Sequence, residues 1–272
     1  MPQTVDLCIA VRGVSAVAVD PQNRPVVLAA GSQSDEGVPD QLMLVACTDA
    51  SCSATPVVTP LFSTTGDAEA SGSLAIGTDG AVSVAHASGG GIHVMGCTSP
   101  QCDGGPLHTT VVQDAGGWPR VDMSLRPDGS PVIAIHSNTD LGVIVCKDNT
   151  CATSRVAPLS DAPGSKWATT IAAPSEVSFS GTNPALDLGP DGRPVVGYLG
   201  FGADLGPEGQ HVAGPKLLAC SDAGCSTSTT QSVNDESAWV AMTMRPNGLP
   251  VVVYSDWTEG YEKDQLFVAW CA

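Results

Sequence analysis

Aromatic side chains make up only 4% of this sequence, so its core must be built from Val, Ala, Leu and Ile. Basic residues are also few. Eleven Lys and Arg stand against 28 Asp and Glu, a formal net charge of −17. Phosphate contacts need a basic footprint, so the charge excludes nucleic acid as a partner. It also argues against anionic membrane surfaces, and it suits solubility outside the cell. No apolar run reaches the length of a membrane-spanning helix, and no membrane insertion is expected. Helical periodicity is missing too, apart from a weak stretch in Ala168–Ser180. There is no Gly-x-Ser-x-Gly, no His-Glu-x-x-His and no phosphate loop. The Asp-Gly pairs lack the Asp-x-Asp-x-Asp-Gly context of a calcium loop and read as turns.

Repetition is what the chain does have. Cys-x4-Cys occurs at Cys47/Cys52, Cys97/Cys102, Cys146/Cys151 and Cys220/Cys225, and Cys271 ends a fifth strand of the same kind. The leading cysteines stand 50, 49, 74 and 51 residues apart. A polar turn followed by an apolar run recurs in step: DPQNRPVV, GTDGAVSV, RPDGSPVI, GPDGRPVV and RPNGLPVV. Asp-Gly or Asn-Gly between alternating apolar runs is a strong hairpin signal. In Asp122–Cys151 the reading is strand, turn at Asp128-Gly129, strand from Pro131, polar loop, strand to Cys146, then a weaker strand after Cys151.

Four-stranded units of this period predict an all-β, five-bladed β-propeller with antiparallel blades. One domain over 1–272 is expected, with repeats at about 14–52, 71–102, 120–151, 183–225 and 239–271, the last completed by 1–11. Cys8 and Cys271 are left as a pair. A Cys8–Cys271 bond, with Thr4–Val11 as the last strand of the fifth blade, would close the ring. The other four disulfides, Cys47–Cys52, Cys97–Cys102, Cys146–Cys151 and Cys220–Cys225, are expected as local bridges. Zinc is the rival reading of cysteine pairs, but pairs spread one per blade cannot converge on one ion. Disulfides imply an oxidising compartment, so a secreted, periplasmic or cell-surface protein is expected. The chain starts Met-Pro-Gln-Thr with no apolar signal region, which reads as a mature form.

These residues resemble the tandem repeats of exported bacterial β-propeller proteins. The resemblance rests on Asp-Gly-x-Pro-Val-Val with Cys-x4-Cys after the third strand, and covers nearly the whole chain. It implies the propeller fold. Many such repeats carry Tyr-Tyr-Asp after the Pro-Val-Val strand, where this chain has LAAGS, VAHAS, AIHSN, GYLGF and VYSDW.

The first strand of each blade should alternate between core and central channel. Val17, Val19, Leu74, Ile76, Met123, Leu125, Leu186, Leu188, Met242 and Met244 form the apolar set. The other set is small except for Asp122 and Asp187. His86 and His136 hold equivalent places at the ends of second strands. With Asp122 they form a candidate set of metal ligands for one divalent ion, zinc, copper or calcium. Asp122 and Asp187 with His86 and His136 are the catalytic candidates, the two carboxylates as a glycosidase-like pair. Arg120, Trp118, Trp239, Tyr198, Asp256 and Trp257 are the substrate-binding candidates. Unequal loops around one face favour a single central site over a repeated one. The expected function is hydrolysis at that site. The alternative is a carbohydrate- or protein-binding module without chemistry. A glycan or small-molecule ligand and a monomeric chain are expected.

Overall fold

The computed structural model describes residues 10–32, 41–63, 71–88, 91–112, 119–136, 141–158, 184–205, 211–233, 239–256 and 265–270. All regular elements among them are strands, arranged in five antiparallel sheets. The first sheet runs β1 (Ala10–Val19), β2 (Pro25–Ser32), β3 (Gln41–Ala46), β4 (Val57–Ser63), and the second β5 (Ser71–Ile76), β6 (Val82–Ser88), β7 (Gly91–Cys97), β8 (Leu107–Val112). The third is β9 (Arg120–Leu125), β10 (Pro131–His136), β11 (Leu141–Cys146), β12 (Ser154–Pro158). The fourth is β13 (Ala185–Leu188), β14 (Pro194–Leu205), β15 (His211–Cys220), β16 (Ser228–Ser232), and the fifth β17 (Trp239–Met244), β18 (Pro250–Asp256), β19 (Gln265–Trp270). Consecutive strands are neighbours throughout, the blade construction of a five-bladed β-propeller. Among the described residues no helix is long and apolar enough to cross a membrane.

The chain divides into two compact units. One holds Met1–Ala115, Pro127–Pro131 and Cys146–Thr153; the other holds Gly116–Arg126, Val132–Val145 and Ser154–Ala272. In the first, Val26, Leu28, Leu42 and Leu44 of sheet 1 form one core with Leu74, Val84, Met95 and Cys97 of sheet 2. In the second, Val132, Ala134 and Val143 of sheet 3 pack with Leu186, Val196, Tyr198 and Leu218 of sheet 4. Middle strands such as β10 are buried along their whole length. That is why they read as unbroken apolar runs instead of alternating ones. Outer strands such as β16 are mostly exposed and polar.

The turns follow from their residues. Gly80, Gly129, Gly192 and Gly248 sit at φ from +75° to +85°, and Asn23 takes that place in the first repeat at φ +59°. The preceding Asp or Asn accepts the N–H two residues on, as Asp79 Oδ1 does for Ala81 at 3.0 Å. Gly80 N donates to Gly77 O and Gly77 N to Ala81 O. These are therefore three-residue hairpin loops ending in a left-handed residue. The four local disulfides, Cys47–Cys52, Cys97–Cys102, Cys146–Cys151 and Cys220–Cys225, are formed as expected. Within each, the second cysteine sits at φ +53° to +56° and donates its N–H to the residue three before it, as Cys52 does to Asp49.

Some expectations change. The four bridges are not equivalent. Cys102, Cys151 and Cys225 are buried, whereas Cys52 is only partly so. The reason is what covers them: Cys102 joins the core shared by sheets 1 and 2, and Cys225 that shared by sheets 3 and 4, but Cys52 belongs to neither. The first repeat also does not stop at Cys52. Sheets 1 to 4 continue past the second cysteine to an outer strand, as at β4 (Val57–Ser63), so the bounds drawn for those four repeats leave that strand out. Val17 and Val19 are 66% and 58% exposed, whereas Ala16 and Ala18 pack against the core. The pairing explains it: Ala16 and Ala18 lie opposite the fully buried Leu28 and Val26 and share their face. Ala10 and Val11 pair with Ser32 and Gly31 in sheet 1, so that sheet claims the end of the segment assigned to the fifth blade. Cys8 and Cys271, and with them the closing bond, lie outside the described residues.

Candidate functional site

The second unit carries two carboxylates on first strands of successive sheets. Asp122 lies on β9. Its Oδ1 accepts the N–H of Met123 at 2.8 Å, and its Oδ2 the N–H of Leu186 on β13 at 2.7 Å. Asp187, on β13, repeats the arrangement one sheet along. Its Oδ1 accepts from Leu188 N at 2.8 Å, and its Oδ2 from Met244 N at 2.7 Å and Thr243 Oγ1 at 3.2 Å. The two side chains thus stitch β9 to β13 and β13 to β17. Strand alternation puts a short carboxylate where it reaches the next backbone, and charge-assisted bonds of this kind are strong. All four oxygens act as acceptors.

The histidines divide between the units. His86, on β6 of the first unit, is wholly buried. It lies opposite His93 on β7 with ring centroids 4.9 Å apart, and Phe62 from β4 of sheet 1 covers it at 4.7 Å. His108 on β8 stacks on His93 at 5.1 Å and on Phe62 at 5.5 Å. Burial, and then the neighbouring His93 and His108, push the His86 imidazole down to about 3, so it is neutral. Among the described residues neither ring nitrogen of His86 has a hydrogen-bond partner. His93 Nδ1 contacts Thr110 Oγ1 at 3.1 Å. His136 is the buried last residue of β10 in the second unit. Among the described residues no group of three or more His, Cys, Asp or Glu is gathered to hold a metal ion.

Of the substrate-binding candidates, Arg120 opens β9 and is half-buried. Tyr198 is only 3% exposed and belongs to the core of the second unit. It shares the face of Val196 two residues earlier, its hydroxyl bonds to Thr230, and burial raises its pKa. A side chain so enclosed is packing, not a ligand contact. Trp239 pairs with Ser255, and Asp256 with Gln265, at the end of sheet 5. Trp118 and Trp257 lie outside the described residues.

One further feature of the second unit was not foreseen. A groove of about 750 Å³ lies between sheets 4 and 5, lined by the turn residues Gly189, Pro190 and Gly248 and by Ala219, Thr230 and Gln231 on the outer strands. Asp191 and Arg193 form an ion pair at its lining, 2.5 Å apart. Much of its lining comes from the turns of two repeat motifs, GPDGRPVV and RPNGLPVV.

Comparison of the sequence with protein families and with curated proteins finds no match. Comparison of the fold does. A protein of unknown function from Dyadobacter fermentans is similar at a TM-score of 0.59 and 13% identity, covering 91% of this chain and 77% of that one. An α-L-arabinanase from Penicillium chrysogenum, complexed with arabinobiose, is similar at a TM-score of 0.51 and 12% identity, over 92% and 79% of the two chains. At these identities the likeness is one of fold. This fold, then, is one that also serves a glycoside hydrolase.

Proposed function

We propose that this protein is an exported, carbohydrate-directed β-propeller that binds a glycan on the first-strand face of its second unit, around Arg120, Asp122 and Asp187. The observation that carries this reading is the state of the two carboxylates. Glycoside hydrolysis needs one carboxyl that donates a proton and one that acts as base or nucleophile. Here both accept backbone N–H groups through both oxygens, the arrangement of fixed acceptors. Asp187 Oδ1 accepts one backbone N–H, and a carboxylate oxygen can accept a second hydrogen bond, as from a sugar hydroxyl. Four disulfides favour export, since such bonds persist in oxidising compartments.

Hydrolysis is the second reading, favoured by the fold likeness to the arabinanase. One experiment separates these readings. The protein is screened on a glycan array, and positive glycans, with arabinan added, are assayed for release of reducing ends. Binding without turnover, weakened in Arg120→Ala, supports the receptor. Turnover lost in Asp122→Asn, with the fold intact, moves the assignment to hydrolysis. Metal analysis of chelator-free protein then tests the expectation of one divalent ion per chain. Neither binding nor turnover sinks both readings.

A further inference from the structure

Three of the four hairpin disulfides share one local design. In Cys47–Cys52, Cys146–Cys151 and Cys220–Cys225 an Asp stands two residues after the leading cysteine and accepts backbone N–H groups from both sides of the second one. Asp49 takes Ser51 N at 2.9 Å and Ala54 N at 2.9 Å. Asp148 takes Thr150 N at 3.0 Å and Ala152 N at 3.1 Å, and Asp222 takes Gly224 N at 2.8 Å and Ser226 N at 3.1 Å. The second cysteines sit at φ +53°, +56° and +53°. Spacing, capping and backbone are therefore matched, and what distinguishes these bridges is their surroundings.

Cys151 and Cys225 are 1% and 0% exposed. In both cases the preceding sheet presses on the hairpin. A Cβ on Gly96 of sheet 2 would lie 3.4 Å from the carbonyl oxygen of Asn149, and Arg126 of sheet 3 donates to the carbonyl of Ala223. The remaining hairpin, with Ser99 in place of the Asp, is held the same way: Thr59 Oγ1 of sheet 1 donates to Gln101 O at 2.8 Å, and Cys102 is buried. Of the eight cysteines in these four bridges, Cys52 alone is not buried. Its neighbours Ser51 and Ser53 are exposed on both sides, whereas Gln101, Thr150 and Gly224, which precede the other second cysteines, are half-buried. Its partner Cys47 is buried. Exchange with a thiol depends on access and on which sulfur is attacked. This bridge therefore has one reachable end.

We propose that Cys52 is a thiol-exchange site, the sulfur at which an external dithiol opens the Cys47–Cys52 bridge of the folded protein ahead of the other three. One thiol of the reagent, as thiolate, attacks Cys52 Sγ. A reagent–Cys52 bond forms, the Cys47–Cys52 bond breaks, and its electron pair leaves on Cys47 Sγ, which takes a proton from water. The reagent's second thiolate then attacks the reagent sulfur of the mixed disulfide and releases Cys52, which is protonated in turn. Two electrons and two protons pass from the dithiol to the bridge, and the reagent leaves as its disulfide. Asp49 holds the backbone on both sides of Cys52 throughout, and the Ala46–Val57 pairing of β3 with β4 does not involve the bridge, so the two thiols stay close enough to close again.

The test takes the full folded chain with limiting dithiothreitol at mildly alkaline pH. Samples are quenched with one alkylating reagent, reduced fully in denaturant, alkylated with a second, and mapped by mass spectrometry. Cys47 and Cys52 should take the first label roughly tenfold sooner than the cysteines of the other three bridges. In urea, where the cover is gone, the four should open at about equal rates, since their loops are of one size. Equal rates in the folded chain, or another of the three opening first, overturns the proposal. An order that persists in urea belongs to local sequence and overturns it as well. Thioredoxin at the same dithiol concentration gives a second arm: a faster opening of Cys47–Cys52 assigns the exchange to a protein dithiol, a slower one to a small thiol, and the same bridge must open first in both. The attacked atom is checked with Cys47→Ala and Cys52→Ala, each incubated with glutathione disulfide. The Cys52 thiol left in Cys47→Ala should take up glutathione several-fold faster than the buried Cys47 left in Cys52→Ala, and the reverse order would overturn the assignment to Cys52. Thermal unfolding checks both folds, and if either variant does not fold, the order of labelling in the unaltered chain carries the test.

Discussion

The carboxylate of Asp187 accepts the backbone N–H of Met244 at 2.7 Å, across 57 positions of sequence. Asp122 does the same for Leu186 at 2.7 Å, across 64. Each bond ties the first strand of one sheet to the first strand of the next. Hydrogen bonds to charged groups contribute about 1.5–3 kcal/mol, and removing the acceptor leaves the donors without it. Asp187→Ala is therefore expected to lower stability in urea by about 2–3 kcal/mol. Asp187→Asn keeps one acceptor oxygen and should lose about half of that. Wild-type stability in Asp187→Ala would show that these carboxylates do not hold the sheets.

The Phe62–His86–His93–His108 stack makes a prediction about pH. The folded state holds His86 at about 3, against 6.5 for the free side chain. Burial also lowers His93. The unfolded chain then binds more protons than the folded one, so stability drops as the solution is acidified. The contribution is fully present above about pH 6.5 and is lost as pH falls toward about 3. Over that window one such group moves the unfolding equilibrium about tenfold per pH unit. The groups facing His86 are His93, His108 and Phe62, so no anion in this stack offsets the effect. His86→Phe should remove this part of the slope, measured by unfolding at stepped pH. An unchanged slope would place the acid sensitivity elsewhere.

The features legible in the sequence were the local ones. Asp-Gly turns and Cys-x4-Cys hairpins are closed by residues within five positions of each other, so spacing alone carried them. Spacing could not say that Cys52 would be less enclosed than Cys102 or Cys225, because the covering comes from a neighbouring sheet. Pro-Val-Val-Gly-Tyr puts Tyr198 on the face of Val196, yet the sequence reading makes it a substrate contact, and only the structure shows it in the core. The duty of Asp122 was not. Its partner is a backbone N–H 64 residues away, and a backbone donor leaves no mark in a sequence. The same holds for Phe62, whose outer strand meets the histidines of a different sheet. The apolar set failed at Val17 and Val19 because alternation says which residues share a face, but not whether that face is covered.

The disulfide hairpins store a conformational demand that can be measured. Cys151 sits at φ +56°, where a side chain costs about 1–2 kcal/mol relative to the right-handed region. Cys146→Ala/Cys151→Ala should lose roughly 2 kcal/mol with the short loop opened. Cys146→Ala/Cys151→Gly removes the same bond but fits the left-handed position. It should be the more stable pair by about 1 kcal/mol. Equal stabilities in a denaturant titration would mean that the hairpin abandons its conformation once reduced.

Two turn glycines with the same backbone test the packing at the base of the groove. Gly129 has φ +81°, and a Cβ built on it meets nothing among the described residues within 4 Å. Gly248 has φ +82°, but its Cβ would lie 3.2 Å from Pro190 Cδ and 3.5 Å from Cγ. Backbone strain is therefore matched, and the difference between the two substitutions reports contact alone. Gly129→Ala should cost about 1 kcal/mol, the left-handed penalty. Gly248→Ala should cost about 1 kcal/mol more, because a proline ring on a fixed turn yields less than a flexible chain end. Equal costs would mean that the turns of sheets 4 and 5 part without resistance.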